Sequence, residues 1–288
     1  MVEHPIQALS EIEPPALYFI GSTSPVGHLL AVTTGAKRLV DKAQSLRRKL
    51  IIVDTTGLVR GAVGRNLKTH KIELLAPRHI AALQSADEAE HFLRFFDTWE
   101  DCSIHRLPVA PGVEPKSQAL RTQRRALRFR EYFRDARLHR LSLENVATAG
   151  TWLRTGSPLA PKSVKAAESV LGTRISRGEK VGRTIYLITA GGPPAAGKEG
   201  IDGLQEHFQT RSLVIVPEDR YLNLIIGLLD GHLELLSLGI IQGIDFRAQT
   251  ISVFAPLRSV APVRSICLGV LKLRSDGTEI GRLRPGEA

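Results

Sequence analysis

The segment Leu50-Ile51-Ile52-Val53-Asp54-Thr55-Thr56-Gly57 constrains this chain more than any other. An unbroken apolar run, mostly β-branched, predicts a strand buried on both faces, because a half-exposed strand alternates polar and apolar positions. Its charge lies at the carboxyl end, where open parallel α/β sheets place their ligand crevice. Asp54, Thr55, Thr56 and Gly57 there offer a carboxylate, two hydroxyls and a backbone that a ligand can approach. The alternative is an Asp54 that only caps the next turn. Gly57, Gly61 and Gly64 follow in quick succession, and glycine permits both tight turns and near contact with a ligand.

Around this segment the first half alternates strands and helices. Residues 1–16, with Pro5, Pro14 and Pro15, read as an approach segment. Leu17–Ile20 predicts a short strand. Gly21, Ser22, Thr23 and Ser24 then form a loop that either holds a phosphate through its N–H groups and hydroxyls or makes a plain strand-to-helix turn with a cap. His28–Lys49 has helical spacing and leads into the central strand, a βαβ order that implies parallel strands. A helix over Asn66–Leu75, a third buried strand over His79–Gln84, a short helix over Glu88–Phe96 and an edge strand over Ser103–Val109 complete a P-loop-like or Rossmann-like half-domain. No phosphate loop stands at its front.

From Lys116 to Arg140 nine cations face two carboxylates, Glu131 and Asp135. Leu120, Leu127, Phe129, Tyr132 and Phe133 give this stretch a packing side, so it reads as one long helix or two joined ones. Part of it is a solvated basic face. Arg121, Arg124, Arg125 and Arg128 share a helix face and suit phosphate, since a like-charged helix repels itself unless an anion is near.

Thr155–Pro161, rich in Gly, Ser and Pro, reads as a boundary. Beyond it a helical pattern over Ser163–Leu171 gives way to short apolar strands over Lys180–Thr189, Ser212–Val216, Ser237–Phe246, Thr250–Phe254 and Val263–Leu273, which predict a small barrel or sandwich. Gly192–Lys198 fits GxxxxGK, but Glu199 occupies the place of the metal-binding hydroxyl and Pro193-Pro194 remove N–H groups, so a hairpin connection is the expected structure.

The formal net charge of +10 over 288 residues points to a polyanionic partner. Cys102 and Cys267 read as buried thiols, no Cys/His spacing suggests a metal site, and neither a leader nor a membrane span is evident, so the expected compartment is cytoplasmic.

Together, Tyr18–His28, Ile52–Val59 with Gly61, Gly64 and Leu67-Lys68, Arg121–Phe133, Leu222–Leu228, Leu238–Asp245, Ala255–Leu257 and Gly277–Ile280 resemble the polynucleotide 5′-hydroxyl kinase family over nearly the whole chain. The resemblance implies transfer of the ATP γ-phosphoryl group to the 5′-hydroxyl end of RNA or DNA, with ATP and Mg²⁺ as cofactors. It implies an α/β fold: an incomplete P-loop kinase-like parallel sheet in residues 1–154 with a basic helical lid at about 112–140, a linker at 155–161, and a small β-rich domain in 162–288. Arg121, Arg124 and Arg125 match lid arginines. Gly21–Ser24, Asp54–Gly57 and Lys68 match segments lining the nucleotide and polynucleotide crevice. Some relatives carry Trp where this chain has Leu58. Family members also precede the Tyr18–Gly21 strand with a phosphate loop and an Asp-x-Asp-x-Gly-Gln motif, neither of which occurs in residues 1–16. The expectation is therefore a truncated kinase, inactive without an amino-terminal kinase segment on the same or another chain. The alternative is a non-catalytic nucleic-acid-binding or assembly subunit.

Overall fold

The computed structural model describes residues 12–113, 117–191, 194–284 and 286–287. The chain divides into two compact units, Met1–Lys116 and Ser117–Ala288. It is a mixed α/β protein with parallel strands, helices and a β-rich carboxyl-terminal region.

In the first unit, α1 (Leu29–Ser45) packs against α2 (Gly61–Leu75). Strands β1 (His79–Gln84) and β2 (Ser103–Pro108) pair in parallel, and α3 (Glu90–Leu93) lies between them in sequence. Its core gathers Ala89, Phe92 and Leu93 with Val59, Ile72, Ile80, Ala82 and Ile104. Arg106 on β2 braces it, binding both Glu90 carboxylate oxygens at 2.9 and 3.1 Å and Asp97 at 2.8 Å. This holds the Glu90 carboxyl down at about 2.

The expected central strand is absent. Leu50–Val53 and Leu17–Ile20 carry no strand structure, and Leu50 and Ile52 are 75% and 82% exposed. A parallel strand takes its hydrogen bonds from neighbours on either side, and among the described residues this unit has only the β1–β2 pair. β1 alternates exposed and half-buried positions and is not buried on both faces. The approach segment read at 1–16 falls mostly outside the described residues.

The second unit opens with α4 (Gln118–Tyr132), its amino end capped by the Ser117 hydroxyl, which accepts from Leu120 N–H at 3.2 Å. The helix stops well short of Arg140. Arg137–Ser142 is instead β3, the edge strand beside β11 (Thr250–Ala255). The basic helix and β3, expected to belong with the first half, thus lie in the second unit, and the Thr155–Pro161 stretch is internal to it.

A seven-stranded sheet runs β13 (Glu279–Arg282), β12 (Ser265–Leu273), β9 (Leu224–Leu229), β10 (Leu235–Asp245), β11, β3, with β4 (Ala147–Ala149) also joined to β12. Facing it is a four-stranded sheet of β5 (Ser157–Pro158), β6 (Ile175–Val181), β7 (Thr184–Thr189) and β8 (Ser212–Pro217). Ile188 and Val216 join the core of the larger sheet, which includes Leu224, Ile226 and Leu228 of β9. Ile185 and Leu187 pack the other way, among residues of α5 (Pro161–Leu171) and α6 (Lys198–His207). The unit is therefore a sandwich with a helical third layer. Buried Glu179 joins its parts: the carboxylate accepts from Arg154 N–H at 2.9 Å and binds Arg177.

Helix α6 corrects the hairpin expected at Gly192–Lys198. Gly197 caps the helix, and α6 makes the crossover between parallel strands β7 and β8. Gly192 and Pro193 lie outside the described residues.

Candidate functional site

The turn at Thr55–Gly57 is held by α2. Gly61 enters the helix with φ +71°, a conformation glycine adopts without penalty. At Gly64 the helix lies directly on the backbone of Val59, where a Cβ would stand 2.5 Å from the carbonyl carbon and oxygen. His91 Nε2 meets the Val59 carbonyl at 3.0 Å, and fully buried Leu67 anchors the same helix.

One turn beyond Gly64, Lys68 reaches back to the loop. Its Nζ donates to Thr55 Oγ1 and to the Thr56 carbonyl, both at 2.6 Å. Lys68 is only 7% exposed, and burial, with Lys71 nearby, pushes its pKa down to about 8 against the opposing pull of Asp54. Lys71 is 6% exposed, and burial lowers its pKa as well. Asp54 is exposed, and a side chain at Gly57 or Gly61 would meet nothing within 4 Å. The turn is therefore open on one side and held on the other by the Lys68 ammonium, with Lys71 one turn farther along the same helix. Such a cluster favours oxyanions. Among the described residues no three His, Cys, Asp or Glu side chains gather to hold a metal ion.

The structure thus brings Asp54, Thr55, Thr56 and Lys68 together. The Gly21–Ser24 loop is bonded to itself: Ser22 Oγ donates to the Ser24 carbonyl at 3.0 Å, and Ser24 Oγ accepts from Val26 N–H at 3.2 Å. Gly21 has φ +72°. Close behind the loop, the Tyr18 ring sits where a Cβ on Gly35 would stand, 2.5 Å away, and carries the Arg38 guanidinium 5.7 Å above its centroid. No described hydrogen bond links this loop to Thr55 or Lys68.

The arginines of α4 separate into two kinds. Arg125 binds Glu279 on β13, Nε to Oε1 at 2.6 Å and Nη2 to Oε2 at 3.4 Å, and donates to Thr122 Oγ1 at 3.1 Å. Beside it the turn at Gly277, φ +85°, lies so close that a Cβ would be 2.5 Å from Arg130 N. At the helix's end, Tyr132 accepts from Leu238 N–H at 2.9 Å and bonds Ser237 at 3.1 Å. Arg121 and Arg124 are exposed. Glu279, which lies within the Gly277–Ile280 stretch, and Lys71 adjoin site residues in ways the sequence reading does not assign. Lys71 was within its reach, standing three residues after Lys68 on one helix face. Cys102 and Cys267 are half-buried free thiols, each with its pKa raised by burial.

Residues 1–135 match the family model described as mRNA cleavage and polyadenylation factor CLP1 P-loop. Over nearly its full length the chain is similar to enzymes named polyribonucleotide 5′-hydroxyl-kinase. It is 30% identical to that of Thermococcus kodakarensis, covering 99% of this chain and 77% of the relative. It is 31% identical to that of Pyrococcus furiosus, covering 96% and 74%, and 29% identical to that of Methanocaldococcus jannaschii, covering 96% and 73%. Among solved structures, the wild-type Clp1p–Pcf11p complex aligns with a TM-score of 0.48 at 13% identity, covering 85% of this chain and 52% of that one. The chain therefore spans about half the length of that solved chain.

Proposed function

The chain belongs to the polyribonucleotide 5′-hydroxyl-kinase family, and we propose that it serves transfer of the ATP γ-phosphoryl group to the 5′-hydroxyl end of RNA or DNA. Phosphoryl transfer asks a protein for positioning and charge neutralisation more than for covalent chemistry. The observation that carries the reading is Lys68, a buried ammonium fixed on the Thr55–Thr56 turn with Asp54 beside it. In this reading the turn binds a phosphate of the nucleotide or polynucleotide, and exposed Arg121 and Arg124 of the second unit are separate candidates for contact with polynucleotide phosphates. The cluster fits phosphate oxygens. The described residues offer no evident Mg²⁺ ligand set, and no step is assigned to the metal.

A second reading, a non-catalytic nucleic-acid-binding subunit, is favoured by one observation: the GxxxxGK at Gly192–Lys198 continues with Glu199, where a metal-binding hydroxyl would stand. The test is transfer of labelled γ-phosphate to a 5′-hydroxyl oligonucleotide by the 288-residue chain and by any longer form its reading frame encodes, with binding measured in parallel. The kinase reading expects labelling that falls sharply in Lys68→Met. Oligonucleotide binding without labelling by any form would move the assignment to the second reading.

A further inference from the structure

Parallel strands ordinarily lie buried on both faces. The β1–β2 pair does not: Ile80, Ala82 and Ile104 pack into the core, while His79, Ala81 and Leu83 of β1 and Ser103, His105 and Leu107 of β2 are all exposed. In the register, His79 stands beside Ser103 and Ala81 beside His105, so two imidazoles take one diagonal of a four-residue square and two small side chains take the other. Diagonal neighbours on a sheet face are within reach of ring side chains. Here the rings meet: His79 Nδ1 and His105 Nε2 are 3.2 Å apart, with ring centroids at 5.4 Å. Arg106, the next residue of β2, turns to the other side of the sheet, where it binds Glu90 and Asp97. Separated by 26 positions along the chain, the two histidines form no Cys/His spacing motif.

Two zinc–imidazole bonds of about 2.0–2.1 Å, opening at a tetrahedral angle, set their nitrogens about 3.3 Å apart. The two rings already hold nearly that separation across a single hydrogen bond. We propose that His79 and His105 form a two-imidazole clip for one divalent transition-metal ion of the kind imidazole suits, zinc, nickel or copper. The hydrogen now held between the two nitrogens passes to the outer nitrogen of the same ring. Both side chains are exposed, so water can receive that outer N–H, and uptake changes a tautomer without changing net protonation. Among the described residues no third His, Cys, Asp or Glu side chain joins the pair. The ion therefore keeps positions for water or for a donor on an incoming molecule, as an exchangeable ion does and a closed structural site does not. The clip is independent of the phosphoryl-transfer reading, and its ion differs from Mg²⁺, which takes oxygen donors and keeps its water.

The test is calorimetric titration of the 288-residue chain with Zn²⁺, with the imidazole nitrogens followed by NMR. The tightest ion should bind at the pair, moving the His79 Nδ1 and His105 Nε2 resonances together, and excess Mg²⁺ should not displace it. His79→Gln and His105→Gln should each weaken that binding by about tenfold or more, since losing even a supporting partner of a metal ligand costs that much. His70→Gln is the control: His70 meets Glu73 at 3.2 Å on an exposed helix surface, and its replacement should leave the affinity unchanged. Affinity that survives both strand variants, or that falls with His70 instead, overturns the clip, and so does displacement by Mg²⁺. Should a strand variant not fold, the parent decides: His79 and His105 ring resonances that stay in place at saturating Zn²⁺ overturn the proposal. Phosphoryl transfer enters none of these readouts, so a failed kinase reading leaves the result interpretable.

Discussion

Replacing Arg125 with Ala should damage the second unit's stability far more than its affinity for polynucleotide, and replacing Arg121 should do the reverse. The structure sets the size. Arg125 and Glu279 hold each other through two contacts, with side-chain exposures of 33% and 12%. Breaking a fully buried pair costs about 3–5 kcal/mol and an exposed one about 0–1; this pair lies between, at about 1.5–3 kcal/mol, because the loss strands a nearly buried Glu279. In a unit of this size that lowers the melting temperature by roughly 3–10 °C. Urea unfolding of Arg125→Ala, Glu279→Ala and the double variant, at constant m-value, should give a coupling energy above about 1 kcal/mol. Arg121→Ala should stay within about 0.5 kcal/mol of the parent and reduce the salt slope of RNA binding by about 1. A coupling near zero, with Arg125→Ala weakening RNA binding as much as Arg121→Ala, would show that Arg125 leaves Glu279 to serve the ligand and would refute this division of labour.

The Val59 backbone cannot yield cheaply to a Cβ placed 2.5 Å away, so Gly64→Ala should cost about 1–3 kcal/mol. Gly57→Ala faces open space and should change stability by less than about 0.5 kcal/mol; paired denaturation curves check both. Tyr132→Phe removes the acceptor of Leu238 N–H and the bond to Ser237, an expected loss of about 1–2 kcal/mol, and unchanged unfolding would show that water replaces the hydroxyl. Lys68 has a folded pKa of about 8 against 10.5 when free, so between these values the unfolded chain binds more protons and stability rises with pH, the penalty being fully present below the folded value. Stability measured from about pH 7 to 10.5 should show a rise that Lys68→Met lacks; parallel curves for the two proteins would contradict the burial of that ammonium.

Helices and the β-rich half were legible because their periodicities record local burial. β11 reads directly as alternation, with Ile251, Val253 and Ala255 buried between half-exposed neighbours. Leu50–Val53 misleads for a physical reason. An apolar run says that residues avoid water, but a parallel strand also needs backbone partners from distant segments, and the sequence of the run does not contain them. Arg137–Ser142 misleads differently. Its arginines continue the helical charge pattern, while His139 and Leu141 point inward at the period of a strand. Pairing with β11, far along the chain, decides between two patterns that the segment carries at once.

The site was legible as residue types and illegible as connections. Thr55, Thr56 and Lys68 stand close enough in sequence for one turn and one helix to join them, and they are joined. The arginines of α4 look alike in sequence, yet what separates them is a carboxylate 154 residues away from Arg125, together with Glu131 for Arg128 and the Asp276 carbonyl for Arg130. A count of cations therefore overstates how many are free to meet a phosphate, since every partner found within the fold withdraws one. Binding experiments that rank these residues by their unsatisfied donors should succeed where a ranking by net charge fails.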